Sequence, residues 1–494
     1  MTKTYPTHIA FLLSLLFSVS NLIYAAPPNI TPTKPASLKV EISAGDISAG
    51  NASIAVKPTT ITVDPPEIHE MKTELKGGDF PTPENFAKYM NDWEPWPSGP
   101  PRKPTLASFT PRFDDQKTMI LGALYRYWRP DTLVVYGADG EPKTQGEDYY
   151  FNADWGQIAN KDNRLGQPGN GTIKATIEAA IPRIDLLQVD NSGAVSVKKG
   201  ESQLVCPEVP EPDEGKVALA GIYIAPWLSA VNPNHKEDPS AVEGASEYAV
   251  TSSEIFPIKE VPEISPVNIA GLSGFAKKLS SGAPVKIAFL GDSITVGAEA
   301  PRWFIENNAY TAKDKTFRGR FVVGLRDKYP GSDITPIPAY QGGKTTKFGG
   351  EIYKELVEPE KPDLVVVAFG ANDVDGGTGG NPKTSPEDFK SGIESIVDMA
   401  KAQGADVLLI NTFPFNPWIL NDMAKRQIEY NKLLEQIATE KNVTLAPVYE
   451  AFKNAEFTGM PAYNTLHNWK NHPGDLGHEI YAETLLETVR QATN

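Results

Sequence analysis

The chain has 494 residues, 40% of them hydrophobic, which suits two or three domains with sizeable cores and excludes a wholly disordered protein. Its formal net charge of -15 disfavours nucleic acid and anionic membrane surfaces as partners. The charge needs no explanation beyond the solubility of the protein.

The first 26 residues have the features of a secretory signal peptide. Lys3 precedes the apolar stretch Ile9–Val19, and residues 24–26 (Tyr-Ala-Ala) offer small side chains for cleavage before Pro27. The apolar stretch is too short to span a bilayer, which takes about 20 residues, and no comparable run follows it. The sequence therefore predicts an exported protein, periplasmic or extracellular, with no transmembrane segment. A bacterial envelope is the expected setting.

Two regions are predicted between the signal peptide and residue 260. Residues 27–104 form a Pro/Thr-rich extension with short strands, for example at 37–42 and 60–63, and its prolines exclude a helix at 93–101. Residues 105–260 are predicted to form a β-rich accessory domain, with strands at 132–136, 194–199 and 217–224 separated by glycine-containing turns. No catalytic pattern occurs there, and a spacer, a binding module and a trimerising element all remain open.

Cys206 is the only cysteine, so no disulfide can form within the chain. It is followed by Pro207 and has no evident base beside it. The expected role is that of a small packed residue rather than a nucleophile.

Residues 268–494 show a different pattern, in which apolar runs alternate with amphipathic segments. Strands are predicted at 285–290, 333–337, 363–369, 407–411 and 443–447, and helices are predicted around 317–329, 385–403, 423–437 and 475–490. Ser385-Pro386-Glu387-Asp388 is a helix start with a Ser cap. This alternation predicts an α/β domain with a parallel sheet covered on both faces, whose active site lies beyond the carboxyl ends of the strands.

Three short motifs in this region carry the chemistry of acyl transfer. Ser293, in a Gly-Asp-Ser turn directly after a predicted strand, offers a nucleophilic hydroxyl, and a helix cap is its plain alternative. Asn372, in Gly-Ala-Asn-Asp after another strand, offers an amide to a developing negative charge. His472, followed by Pro473, offers a base. Together they predict a serine esterase.

The region resembles the SGNH hydrolases, also called the GDSL family. Four blocks occur in order: residues 291–293, 341–346, 370–373 and 472–478. The resemblance implies a three-layer α/β/α, flavodoxin-like fold and ester hydrolysis through an acyl-enzyme. It further implies Ser293 and His472 as the catalytic pair, and an oxyanion hole made by Ser293, Gly343 and Asn372.

One position departs from the family pattern. The family usually carries Asp three residues before the catalytic His, where this chain has Trp469. A backbone carbonyl can orient His472 as part of a Ser-His dyad, or an acid can reach in from another loop. The third alternative pairs Asp475 with His478, which have Asp-x-x-His spacing; otherwise His478 is expected to anchor the last helix.

The predicted function is that of a secreted serine esterase acting on carboxylic esters, with O-acetyl groups on carbohydrate as the expected substrate. A lipid or thioester acyl hydrolase is one alternative. Another class is a glycan-binding or adhesion protein with a degenerate hydrolase domain, which Trp469 favours. No cofactor or metal is expected, although the three histidines at 467–478 leave a zinc site as a weaker hypothesis.

Overall fold

The computed structural model describes residues 27–49, 52–76, 108–109, 128–152, 157–160, 164–166, 171–203, 206–225, 248–297, 316–376, 380–417, 420–467 and 470–493. The predicted signal peptide and the proline-rich segment at 93–101 lie outside these residues. Among the described residues, no helix combines the length and the apolar character needed to cross a membrane.

The part of the chain before residue 260 is rich in strands, as the sequence predicts. These strands are β1 (Ile30–Pro32), β2 (Lys39–Ile42), β3 (Gly45–Ala49), β4 (Ala52–Val56), β5 (Thr59–Thr62), β6 (Glu67–Lys76), β7 (Ser108–Phe109), β8 (Trp128–Tyr136), β9 (Pro142–Lys143), β10 (Tyr149–Asn152), β11 (Gln157–Asn160), β12 (Thr172–Ile181), β13 (Arg183–Asp190), β14 (Val195–Lys198), β15 (Lys216–Ile224) and β16 (Ile255–Pro257).

The strands that follow are parallel and alternate with helices. They are β17 (Val285–Gly291), β18 (Ile334–Tyr340), β19 (Leu364–Ala368), β20 (Asp406–Ile410) and β21 (Thr444–Ala446). The helices are α1 (Ser273–Ser280), α2 (Ser293–Val296), α3 (Phe317–Lys328), α4 (Thr346–Ile352), α5 (Pro386–Ala402), α6 (Asn421–Glu440), α7 (Val448–Lys453) and α8 (Asp475–Thr493). Short 3-10 turns include Asn454–Thr458 and Ala462–Thr465.

The first of two compact units contains the described residues of Met1–Glu67, Ile181–Glu263 and Lys453–Ala462. Its sheets have the strand orders β1-β2-β5, β3-β4 and β14-β13-β15-β16, with antiparallel pairing. Alternate residues of β2 are buried, as expected for a strand with one face on a core. That core includes Val40, Ile42, Leu187 and Ile222.

A buried arginine ties the first unit together. Arg183 has no exposed surface, and its Nε donates to Asp185 Oδ1 at 2.8 Å. Its two terminal nitrogens donate to the backbone oxygens of Asp64 and Pro65 at 2.6 and 2.7 Å. A buried guanidinium is tolerated when its donors are satisfied, so this cluster joins β13 to the chain that follows β5.

The second unit contains the described residues of Ile68–Ala180, Ile264–Phe452 and Tyr463–Asn494. Before residue 181 it has sheets of order β6-β12-β8-β9 and β10-β11-β7, in which the pairs β12–β8, β8–β9, β10–β11 and β11–β7 are antiparallel. After residue 263 it has the parallel sheet β18-β17-β19-β20-β21. This is the flavodoxin-like strand order. Helix α8 contacts α1 and α3, while α5 contacts α4 and α6, so the helices form two groups. The predicted α/β fold is confirmed.

Local sequence explains most of these elements. Six of the seven residues of β17 are buried, which is typical of a central parallel strand with both faces covered. Helix α5 begins as predicted: Ser385 Oγ accepts from the N–H of Asp388 at 3.1 Å, and Pro386 occupies the first helical position.

One strand is longer than the sequence predicts. Strand β18 continues to Tyr340 although it contains Pro336 and Pro338. Among the described strands it lies at the edge of the sheet and pairs with β17 alone, and an edge strand has one side that needs no ladder hydrogen bonds. Prolines at alternate positions keep their missing N–H groups on that side.

Candidate active site

Strand β17 leads directly into the candidate nucleophile. Asp292 caps helix α2 through Oδ1, which accepts from the N–H of Ile294 at 3.0 Å, and Ser293 is the first residue of that helix. Gly291 is required before it, because an added Cβ would lie 2.1 Å from Thr295 Oγ1 and 2.8 Å from the carbonyl oxygen of Ala368. The side chain of Ser293 is partly exposed at the carboxyl end of the strand.

The structure brings Ser293 and His472 together. Ser293 Oγ lies 3.0 Å from His472 Nε2, although the two residues are 179 positions apart. This is hydrogen-bond distance for a hydroxyl and an imidazole base. Burial lowers the pKa of His472 to about 4, and the nearby charges of Lys470 and His467 act in the same direction. The ring is therefore neutral at pH 7 and able to accept a proton.

A loop closed by backbone hydrogen bonds carries His472. The backbone N–H of Gly474 donates to the carbonyl oxygen of Thr465 at 2.9 Å. The N–H of His467 donates to the carbonyl oxygen of His472 at 2.9 Å, and Leu466 and Pro473 form a β-bridge. We call residues 463–474 the histidine loop. These bonds fix the backbone of His472 relative to the start of the loop.

Asn471, which sequence reasoning missed, contacts the other ring nitrogen of His472. Its Oδ1 lies 2.9 Å from His472 Nδ1. An amide oxygen only accepts, so Nδ1 carries the proton and Nε2 presents its lone pair to Ser293. The family pattern directed attention to position 469, and Trp469 lies outside the described residues. A polar side chain beside the histidine was the only sequence signal for this acceptor.

The structure places Asp475 away from this ring contact. It begins helix α8, is exposed, and forms an ion pair with Arg320. Arg320 also pairs with Glu479 on the same helix at 3.3 Å. These contacts bind α8 to α3. In the part of the chain that the structure describes, the carboxylate of Asp475 pairs with Arg320 and not with His472 or His478.

His478 lies inside the protein. Its Nδ1 accepts from the backbone N–H of Phe317 at 3.2 Å, and its ring stacks on that of Phe317 at 15°. The residue has no exposed surface, and burial lowers the pKa of His478 to about 3. These contacts join α8 to the start of α3, as expected of an anchor for the last helix.

Asn372 and the glycine pair lie near the nucleophile. A Cβ added to Gly342 would lie 3.7 Å from Ser293 Cβ, and one added to Gly343 would meet no atom within 4 Å. Asn372 Nδ2 donates to the carbonyl oxygen of Lys344 at 3.0 Å and to Asp292 Oδ2 at 3.3 Å. Both amide hydrogens thus have acceptors in this state. Gly342 and Gly343 themselves are exposed to solvent.

Two buried carboxyl groups support these turns. Burial raises the pKa of Asp292 to about 7, and the charge of Asp373 adds to that rise. Burial also raises the pKa of Asp373, whose carboxylate accepts from the N–H of Thr346 at 3.0 and 3.2 Å. The side chains therefore link β17, the glycine turn and the turn after β19.

The zinc hypothesis finds no ligand group in the described part of the chain. None of its His, Cys, Asp and Glu side chains form a cluster of three or more that is arranged to hold a metal ion.

Comparison with known proteins places this domain in a family. Residues 289–480 match the family model of the GDSL-like Lipase/Acylhydrolase family. An acetylxylan esterase of Geobacillus stearothermophilus is 27% identical over 219 residues, which are 43% of this chain and 96% of that protein. An arylesterase of Vibrio mimicus is 28% identical over 136 residues, which are 28% of this chain and 58% of that protein.

Solved structures give matches of the same extent. Axe2, an acetylxylan esterase from Geobacillus stearothermophilus, matches 42% of this chain and 94% of its own, with 22% identity and a TM-score of 0.34. LAE5, an alpha/beta hydrolase from the metagenome of Lake Arreo, matches 42% of this chain and 96% of its own, with 19% identity and a TM-score of 0.36.

Residues 289–480 are a hydrolase domain of the GDSL-like lipase/acylhydrolase family. The chain is a serine ester hydrolase: the family model that matches this domain describes a lipase/acylhydrolase, and both curated relatives are esterases.

Proposed function

We propose that this protein is an exported esterase that removes O-acetyl groups from carbohydrate, with Ser293 as nucleophile and His472 as general base. The observation that carries the catalytic part is the 3.0 Å separation of Ser293 Oγ and His472 Nε2. Export rests on the signal-peptide features of residues 1–26.

The reaction begins at the serine hydroxyl. His472 Nε2 takes the proton of Ser293 as its oxygen attacks the acyl carbon, and a tetrahedral intermediate forms. The imidazolium then gives that proton to the departing alcohol oxygen, which leaves an acyl-enzyme. Water, deprotonated by the same nitrogen, then attacks the acyl carbon, and the imidazolium returns the proton to Ser293 Oγ as the acid leaves.

The negative charge of the intermediate needs donors on one side of Ser293. We assign this role to the backbone N–H groups of Ser293 and Gly343 and to Asn372 Nδ2. Because Asn372 Nδ2 now donates to Lys344 and Asp292, it must exchange one of these bonds for the oxyanion. The bond to Asp292, at 3.3 Å, is the longer of the two. Loss of one oxyanion donor typically lowers turnover about 100- to 1000-fold.

We assign Asn471 as the residue that orients His472. Its Oδ1 holds the Nδ1–H tautomer through a 2.9 Å contact, which is the task the family usually gives to an aspartate. A neutral amide stabilises the imidazolium less than a carboxylate does. With Asn471 in this role, His472 can act as the base although Trp469 stands where the family usually has an aspartate.

Replacing Asn471 by aspartate should shift the pH profile of the enzyme. The base must be neutral, so wild-type kcat/KM should fall as the pH drops through about 4, the pKa of His472. A carboxylate at Nδ1 stabilises the imidazolium and raises that pKa by about 1–3 units. The acid limb of kcat/KM for Asn471→Asp should therefore lie at higher pH by that amount.

The measurement is a profile of kcat/KM between pH 3.5 and 8 with an aryl acetate. Asn471→Leu, which has no acceptor, serves as the comparison and should lose roughly 10- to 1000-fold in kcat at pH 7. Profiles that superimpose for the wild type and both variants would remove Asn471 from this role.

Two observations support a small acyl group on a sugar. One relative that matches over 96% of its length is an acetylxylan esterase. The turn at Gly342 and Gly343 is exposed, which suits a polar polymer that approaches from solvent. Lipid or thioester hydrolysis and a degenerate, glycan-binding domain are the outcomes that compete with this proposal.

A substrate panel tests the proposal on the full chain. Acetylated xylo-oligosaccharide, an aryl acetate, an aryl octanoate and an acetyl thioester are compared by kcat/KM, after labelling with a fluorophosphonate probe. We expect labelling, and faster release of acetate from the oligosaccharide than hydrolysis of octanoate or thioester. Preference for octanoate or thioester favours the alternative acyl hydrolase, and failure to label or to hydrolyse any ester favours the degenerate domain.

A further inference from the structure

We propose that Arg318 is a positioning residue, which holds the short helix α2 in place and, through it, Ser293. Arg318 lies in the first turn of helix α3 and is partly buried. The inference rests on the proposed function, because it takes Ser293 as the nucleophile. All the contacts that carry it lie within the second unit.

Helix α2 needs support from other elements. It consists of a single turn, Ser293–Val296, and one turn of helix is not stable by itself. The N–H of Gly297 donates to the carbonyl oxygens of the first two residues of the helix, and Gly297 ends the helix with a φ of +92°. The carbonyl oxygens of the last two residues lie beyond these bonds, so they need a donor from outside the helix.

Arg318 donates to both of these carbonyl oxygens. Its Nε donates to the carbonyl oxygen of Thr295 at 2.7 Å, and its Nη2 donates to that of Val296 at 3.3 Å. The guanidinium carbon also lies 4.4 Å from the centre of the Tyr340 ring. Because the guanidinium is a planar, charged fork, its two bonds fix both the position and the direction of the end of α2.

The elements on either side of this contact are themselves fixed. Phe317, the residue before Arg318, has no exposed surface, and its ring stacks on that of Tyr481 with centroids 4.8 Å apart. Tyr340 is the last residue of β18 and pairs with Gly291, at the point where β17 leads into α2. Arg318 therefore links α2 to the start of α3 and to the carboxyl end of β18.

A shift of α2 affects two parts of the reaction. Ser293 begins the helix, and its Oγ must stay near its 3.0 Å distance from His472 Nε2 for proton transfer. The backbone N–H of Ser293 is also one of the oxyanion donors assigned above, so the same shift displaces the nucleophile and a donor together. A displacement of about 1 Å can cost roughly 100-fold in rate.

Arg318→Met tests this role, and Arg326→Met is its matched control. Methionine keeps an unbranched side chain and has no N–H donor. Arg326 lies on the same helix, and its Nη2 donates to the carbonyl oxygen of Ile334 at 2.7 Å. Ile334 begins β18, whereas the site lies beyond the carboxyl ends of the strands. Each variant loses a bond from a guanidinium to backbone, and only Arg318 bonds the helix that carries Ser293.

The readout is kcat for an aryl acetate, measured on the full chain and calculated per active site titrated to completion with a fluorophosphonate probe. A smaller folded fraction then does not count. We expect Arg318→Met to lower kcat about 10- to 100-fold, with KM within twofold of wild type. The rate of labelling should fall by a similar factor, because the same hydroxyl attacks the probe. Arg326→Met should keep the wild-type kcat and labelling rate, even where its melting temperature is lower.

Two sets of results would overturn the proposal. One is a wild-type kcat in Arg318→Met, or an equal loss of kcat in both variants. The other is a lower kcat in Arg318→Met with an unchanged labelling rate, because the loss then lies in a step other than attack by Ser293.

A second variant keeps the test decisive if Arg318→Met does not fold. Arg318→Lys retains the positive charge, but an ammonium lacks the planar fork that bonds two carbonyl oxygens. Its kcat should fall about 10-fold at unchanged KM, and a wild-type kcat would show that charge alone suffices and overturn the proposal. If the wild type neither labels nor hydrolyses esters, the proposed function itself fails, which is a distinct result.

Discussion

Ser293→Ala is expected to lower ester hydrolysis by about 10⁴- to 10⁶-fold, close to the rate left by substrate binding and the oxyanion donors alone. The change removes the atom that becomes acylated. It leaves the cap of helix α2 in place, because Asp292 supplies that cap. Stability should therefore change little, while labelling by a fluorophosphonate disappears.

Ser391→Ala is the control for this experiment. Ser391 is an exposed residue of helix α5, and its hydroxyl donates only to the carbonyl oxygen of Asp388 at 3.2 Å. This variant should keep wild-type kcat and probe labelling. Intact turnover or labelling in Ser293→Ala would place the nucleophile elsewhere and remove the catalytic part of the proposal.

His472→Ala should lower kcat by a similar factor, about 10⁴- to 10⁶-fold, because no other described side chain shares a hydrogen bond with Ser293 Oγ. The loss should appear at all pH values between 5 and 9. The substituted enzyme should still fold, since the loop is tied by backbone bonds that an alanine retains.

His478→Ala provides the contrast. The buried ring accepts from Phe317 N–H and stacks on that residue, so its removal leaves a cavity and an unsatisfied donor. We expect a loss of about 2–4 kcal/mol in the free energy of unfolding, with kcat per titrated site within a few-fold of wild type. The reverse pattern, with turnover lost in His478→Ala and kept in His472→Ala, would move the base to His478.

Short sequence patterns were sufficient to predict many of the strands and helices of the hydrolase domain. The buried run at 285–290 and the capped helix beginning at Pro386 appear where their patterns predict them. Strand β18 was predicted too short, because prolines argue against a strand unless its place at the sheet edge is known. The order of the strands, and so which strand lies at the edge, depends on the whole domain and cannot be read from a short stretch of sequence.

Some residues of the candidate site could likewise be predicted from the sequence, and others could not. Ser293, Asn372 and His472 occur in motifs of a few residues, so each could be selected from its neighbours in the chain. Asn471 could not, because the usual spacing pointed to position 469. Asp475 has a suitable spacing from His478, but its carboxylate pairs with Arg320 of α3.

By itself, the sequence determined the α/β class of residues 268–494, the family, and the short list of groups able to perform acyl transfer. These features follow from periodicity and motifs, which act over a few residues. Only the tertiary structure placed His472 Nε2 3.0 Å from Ser293 Oγ across 179 positions, and brought Asn471 Oδ1 against the other nitrogen of the ring. The first of these contacts joins residues that are far apart in the chain, so no short stretch of sequence determines it.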